Sequence, residues 1–163
     1  MGGPAFIDNV KIEEFGNFHP CRFKCWGVEF TSVEQAFQYA KSEDPAYRAS
    51  ILASSDPMEA WKLGRACASL DPKWEQLKVF RMFACMYERF QQDQAMCDKL
   101  VDSYPKDITF QHAQTKDDWD EFNALALKTV RVVMQRERTS THVAYGLGSA
   151  LTVLLCLTVW VLF

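Results

Sequence analysis

Residues 31–41 read Thr31-Ser32-Val33-Glu34-Gln35-Ala36-Phe37-Gln38-Tyr39-Ala40-Lys41, "TSVEQAFQYAK". The Thr31/Ser32 pair opens a helix whose Val33, Ala36, Phe37 and Ala40 fall on one apolar face. Thr31 followed three residues later by Glu34 is a capping-box pattern, in which side chains and backbone N–H groups satisfy each other. That spacing makes Glu34 a competent cap. A carboxylate on the first turn of an apolar helix also suits a site built around one buried charge. Both readings stand at this level.

Working outward, "CRFKCWGVEF" at 21–30 has Phe23 and Val28/Phe30 on either side of Trp26-Gly27, which predicts a short hairpin turning at the glycine. Downstream, Asp44-Pro45, Asp56-Pro57 and Asp71-Pro72 each place an N-cap acceptor before a proline suited to the first helical position. Asp56 with Glu59 adds a second capping box. The longest helix is predicted from Pro72, with Trp74, Leu77, Phe80, Phe83, Met86 or Tyr87, and Phe90 as core contacts. A helix at 93–101, a short strand at 108–110 and a last soluble helix at 117–138 follow. The soluble part is therefore α+β and predominantly α-helical.

With 163 residues the chain is one domain by length, and its net charge of −3 offers no general field for nucleic acid. All 18 Lys and Arg and all 21 Asp and Glu precede His142. The run that follows, "VAYGLGSALTVLLCLTVWVLF" at 143–163, would be about 31 Å long as a helix, enough for a bilayer core. It predicts a single C-terminal transmembrane tail anchor, joined by a short linker at 139–142 to a cytosolic domain at 1–138. Lys128, Arg131, Arg136 and Arg138 supply the basic cytosolic flank. The absence of a basic residue after the span favours the endoplasmic reticulum over the mitochondrial outer membrane. Gly146, Gly148, Ser149 and Ala150 offer a small-residue face for homodimer pairing in the membrane.

Six cysteines with no regular framework fit a reducing compartment. His19, Cys21 and Cys25 could begin a zinc site, but no second ligand pair completes it. P-loop, dinucleotide, nucleophile-elbow and H-E-x-x-H signatures are absent.

Three ordered motifs carry a resemblance. Phe15-Gly16-Asn17-Phe18-His19-Pro20, Gly27-Val28-Glu29-Phe30 and Ser32 to Lys41 are similar to the N-terminal signature of the NADAR/YbiA-like family. The likeness continues through "ILASSDPMEAWKLGR", ending at Gly64-Arg65, and through Trp74, Lys78 and Met82. It spans about residues 12–101. The resemblance implies a compact YbiA-like fold and cleavage of an N-glycosidic bond, in an ADP-ribosylated base or a phosphoribosylaminopyrimidine-type substrate.

That chemistry passes through an oxocarbenium-like state, which a carboxylate stabilises while orienting or deprotonating water. On this mapping Glu34 is the catalytic carboxylate. Lys41 and Arg65 hold substrate phosphates, and Asn17, Phe18 and Trp26 position ribose or base. Neither metal nor cofactor is implied, and nucleic acid is a partner only if an ADP-ribosylated base is the substrate. The chain departs from the family pattern after about 105. Trp119 and Met134 align, but Phe110 stands where an acid is expected, Lys116 at an aspartate and Asp120 at a glycine, with Asp117 or Asp118 as substitutes. These departures motivate the alternative of a catalytically degenerate module that binds an ADP-ribose-like ligand or a protein partner.

Overall fold

The sequence Ala-Phe-Ile-Asp-Asn-Val-Lys-Ile builds a hairpin that the motif pattern did not anticipate. In the computed structural model, which describes residues 3–111 and 119–141, strands β1 (Ala5–Ile7) and β2 (Val10–Ile12) pair antiparallel with Ile7 opposite Val10. Asp8 and Asn9 form the turn at φ 47° and 65°. Asp and Asn tolerate this left-handed geometry, whose twist matches the flanking strands. A 3-10 turn at Glu13–Phe15 then leads into Asn17.

The predicted second hairpin is present as β3 (Phe23–Cys25) and β4 (Val28–Phe30), with Phe23 opposite Phe30. Trp26 and Gly27 make its turn at φ 51° and 77°. Helices α1 (Val33–Tyr39), α2 (Pro45–Leu52) and α3 (Pro57–Arg65) follow. The Asp-Pro readings hold at the first two pairs. Asp44 accepts from the N–H groups of Ala46 and Tyr47, and Asp56 accepts from Glu59. The Glu59 carboxylate reaches back to the Ser55 N–H.

Helix α4 (Trp74–Gln92) starts two residues later than Pro72, because Asp71 turns the chain by accepting from the Lys73 N–H. Its buried face is also rotated from the predicted stripe. Trp74, Met82, Cys85, Met86, Tyr87, Arg89 and Phe90 are inside, whereas Phe80 is 39% exposed. The rotation brings Arg89 inward to the 3-10 turn, where it donates to the carbonyls of Glu14 and Gly16. Helix α5 (Gln94–Asp102) is capped by Asp93, and strand β5 (Ile108–Phe110) adds to the far edge of β1, giving sheet order β2-β1-β5. Phe110 is buried opposite Ala5.

Helix α6 (Trp119–Thr141) packs on α4, α5 and β5. It continues through the residues read as the start of a linker. The tail at 143–163 lies outside the described residues. Among the described residues no helix is long and apolar enough to cross a membrane.

The short helix α1 is the centre of the molecule. It touches α2, α3, α4 and β4, and all six residues at 33–38 are buried. A helix covered on every side must satisfy its polar side chains internally or through a ligand. Three of those six side chains are polar: Glu34, Gln35 and Gln38.

Candidate active site

The start of α1 shows whether Glu34 serves as a cap. Ser32, in extended conformation, is the N-cap, and its Oγ accepts from the Gln35 N–H at 3.0 Å. Gln35 returns the bond, its Oε1 accepting from the Thr31 N–H at 2.9 Å and from the Thr31 hydroxyl at 3.0 Å. The Gln35 amide nitrogen donates to the Ile51 carbonyl and to Ser54. The box is therefore built one residue later than Thr31/Glu34. Either register fits the sequence, and the helix chose the one whose return arm is neutral and fully bonded. Glu34 is released from capping.

The Glu34 side chain is 0% exposed. Its backbone N–H is held by the Asn17 carbonyl at 3.0 Å, so the 3-10 turn fixes where α1 begins. Oε1 accepts from Gln38 Nε2 at 2.5 Å, one helical turn on. Oε2 is buried with no partner. Loss of hydration raises the carboxyl pKa to about 7, against the Gln38 hydrogen bond and the positive field of Lys41. Near neutrality the protonated and ionised forms of this group are both populated.

The neighbouring groups carry the same signature. Asn17 is fully buried, with Nδ2 donating to Asn123 Oδ1 at 3.3 Å and to Met82 Sδ at 3.5 Å, while its Oδ1 has no partner. Gln38 Oε1 is likewise unpartnered. Buried polar atoms are nearly always bonded, and these three acceptors, linked through Glu34, are suited to accept from hydroxyl groups such as those of a sugar.

The remaining residues carried over from the resemblance separate into near and far. Lys41 is buried at the end of α1, donates to the Gly64 carbonyl at 3.0 Å and lies over the Trp74 ring. Burial lowers its pKa, and the Glu34 charge opposes that shift. A cation so placed acts on Glu34 through its field. Trp119 is buried edge-on to Phe37 at 5.2 Å, and Phe37 meets Trp74 at 5.0 Å, so Trp119 walls the α1–α4 core.

Arg65 is exposed and packs over Trp61 at 5.0 Å. Phe18 lines a cleft of about 270 Å³ with Pro4, Lys11, Glu13 and His19, and Glu34 is not part of that lining. Trp26 is 41% exposed at the hairpin tip. Asp117 lies outside the described residues. Among the described residues no three His, Cys, Asp or Glu side chains gather as metal ligands, the His19, Cys21 and Cys25 triplet included.

Sequence reasoning passed over Gln38, Gly64 and Asn123 as members of this cluster. Gln38 was visible as the residue four after Glu34, on the same helix face. Gly64 shows its purpose only in three dimensions, where α3 presses on the Gln38 side chain. Asn123, on α6, is 106 residues from its partner Asn17, and no local signal connects them.

A family model described as the NADAR domain matches residues 5–131, wider than the stretch the motifs mark. The NMR structure of the E. coli protein YbiA is similar with a TM-score of 0.68 and 22% identity, covering 84% of each chain. At that identity the likeness shows the fold. No curated protein matches the sequence.

Proposed function

The chain belongs to the NADAR domain family, and from that premise we propose that it hydrolyses the N-glycosidic bond of a ribosyl phosphate or ADP-ribosyl substrate, with Glu34 as the catalytic carboxylate. One observation carries this reading: Glu34 Oε2 is fully buried, without a donor, on a carboxyl whose pKa stands at about 7. Such a group is costly unless a ligand or water uses it.

The chemistry assigned to it balances. The C1′–N bond breaks with its electron pair going to the departing nitrogen, and water bonds to C1′. The water proton passes to Glu34 Oε2 and from there to the nitrogen. The ionised carboxylate stabilises the positive charge that develops at C1′ in between. The unpartnered Asn17 oxygen accepts a ribose hydroxyl, and Gln38 holds the other Glu34 oxygen in place. Glu34→Gln should lower release of ribose phosphate or ADP-ribose by about 100- to 10,000-fold, the usual loss for a general base. A variant that turns over like the parent rules out the role.

One feature favours a second reading. Phe110 is buried against Ala5 where the resemblance leads to an acid, so that position offers no charge to a substrate. A binding module without catalysis would show calorimetric binding of ADP-ribose and no product over long incubation. The 143–163 run is read with either version as a tail anchor that places the domain against a membrane. What supports it is its lack of charge over 21 residues. Deleting 143–163 should move the protein from the carbonate-resistant membrane fraction to the supernatant, and an unchanged distribution sinks the anchor.

A further inference from the structure

Three arginines have a buried Nε with no partner: Arg81, Arg89 and Arg131. Arg89 uses its terminal nitrogens on the carbonyls of Glu14 and Gly16, and Arg131 donates to Ser103 and to the Lys106 carbonyl. Arg81 differs. Among the described residues it makes neither a hydrogen bond nor an ion pair, although the chain carries excess negative charge. Its guanidinium, half-buried, lies over the Trp26 indole at 5.2 Å.

The Trp26 position is itself unusual. The two-residue turn of the β3–β4 hairpin holds its first residue at φ 51°, a place favoured by Asn, Asp or Gly. A bulky aromatic there is strained, and strain of this kind persists where surrounding interactions hold it. The indole meets Phe30 edge-on at 6.5 Å and carries Arg81 on its face. Cation–π packing of this kind holds a guanidinium in place and strips part of its water while leaving all five N–H donors free.

Arg81 is linked to the proposed catalytic group through its neighbours on α4. Met82, the next residue, touches the Asn17 amide, and Asn17 holds the Glu34 N–H. Cys85, one turn further along α4, lies in the fields of both the Arg81 guanidinium and the Glu34 carboxylate. A planar, pre-positioned, unpaired fork of donors matches a phosphoryl group in bidentate fashion.

We propose that Arg81, seated on Trp26, binds a phosphate of the substrate at the rim of the Glu34 site. This assignment rests on the N-ribosyl hydrolase reading, and it gives the phosphate role to Arg81, whose Nε is buried, in place of Arg65, which is exposed on α3.

The test is calorimetric titration of the full-length chain in detergent with ADP-ribose, ribose 5-phosphate and adenosine, with orthophosphate as competitor. Arg81→Gln should weaken ADP-ribose and ribose 5-phosphate by about tenfold to a hundredfold, the usual range for a hydrogen bond to a charged group, and leave adenosine unchanged. Orthophosphate should compete in the parent and not in the variant. Arg81→Lys should recover part of the loss as a point charge. Arg81 makes no hydrogen bond or ion pair with a described residue, so Arg81→Gln should lower the melting temperature by no more than loss of the single Trp26 cation–π contact, which Trp26→Leu reproduces as the folding control. Equal affinity of parent and Arg81→Gln for ADP-ribose overturns the assignment while an inactive Glu34→Gln still upholds the hydrolase. A parent that neither binds nor cleaves any ribosyl phosphate overturns both.

Discussion

Gly64 lies so close to Gln38 that a β-carbon at residue 64 would fall 1.8 Å from Gln38 Oε1 and 2.4 Å from Cδ. The glycine is a contact requirement: it lets α3 press Gln38 against Glu34, and its carbonyl receives Lys41. Gly64→Ala in a helix would ordinarily gain about 1 kcal/mol from propensity. Here overpacking should reverse the sign and cost about 1–3 kcal/mol, with a loss of activity as Gln38 leaves the carboxylate. The double variant Gly64→Ala/Gln38→Ala removes the clashing atoms and should recover most of the stability without the activity. Denaturant unfolding of the four-member cycle measures the coupling, and strict additivity would show that the two side chains do not collide.

Glu34 sets a pH dependence of stability with a definite sign. Its folded-state pKa, about 7, is above the ordinary 4.5. Between those values the folded chain holds a proton that the unfolded chain has released. Stability contributed by the protonated carboxyl is thus fully present below pH 4.5 and lost as pH rises through 7. The full loss is about 3 kcal/mol. Glu34→Gln removes the titration, so the variant should gain about that much on the parent between pH 4.5 and 8 while being inactive. Parallel stability curves across this range would show that Glu34 is hydrated in solution.

The cap and the carboxylate should be separable. Ser32→Ala removes the acceptor for the Gln35 N–H and should cost about 1 kcal/mol. Because Glu34 takes no part in that cap, the acidic limb of the rate profile near pH 7 should stay where it is. A Ser32→Ala variant whose limb shifted as far as that of a Gln38 variant would tie capping and catalysis together after all.

The register of that cap shows what local sequence conveys and where it stops. Asp44-Pro45 and Asp56-Pro57 are unambiguous because proline fixes φ and leaves one acceptor in place. At 31–35, Thr31 and Ser32 are both competent caps, and Glu34 and Gln35 are both competent return arms. Choosing between them needs Ile51 and Ser54, which bond to the Gln35 amide from α2 and the segment after it. The Trp26-Gly27 turn was legible, whereas the sheet was not, because β5 joins β1 across about 100 residues. The stripe on α4 held at Trp74, Met86, Tyr87 and Phe90 but missed at Phe80 and Arg89 for a related reason. Periodicity ranks aromatics as core, but Arg89 is buried and Phe80 exposed because the carbonyls of Glu14 and Gly16 needed a donor. Of the residues the motif marks, Asn17 bonds the Glu34 N–H and Lys41 lies in the field of its carboxylate. The buried environment of Glu34 and Asn17 is completed by Gln38, Gly64 and Asn123, all placed by tertiary packing.

Lys41 offers the sharpest separation of two roles. Its ammonium is buried on the Gly64 carbonyl and above Trp74, and its field lowers the Glu34 pKa against the larger effect of burial. Lys41→Met keeps the length and apolar stem of the side chain while removing the charge. If Lys41 acts through Glu34, the carboxyl keeps its proton to higher pH, and the acidic limb of kcat/KM moves upward from about 7. At saturating pH the rate then returns toward the parent's. If Lys41 instead carries a substrate phosphate, KM rises at every pH and the limb stays fixed. The burial of its ammonium favours the first outcome. A pH–rate series with parent and Lys41→Met decides it, and an unmoved limb would refute the field argument.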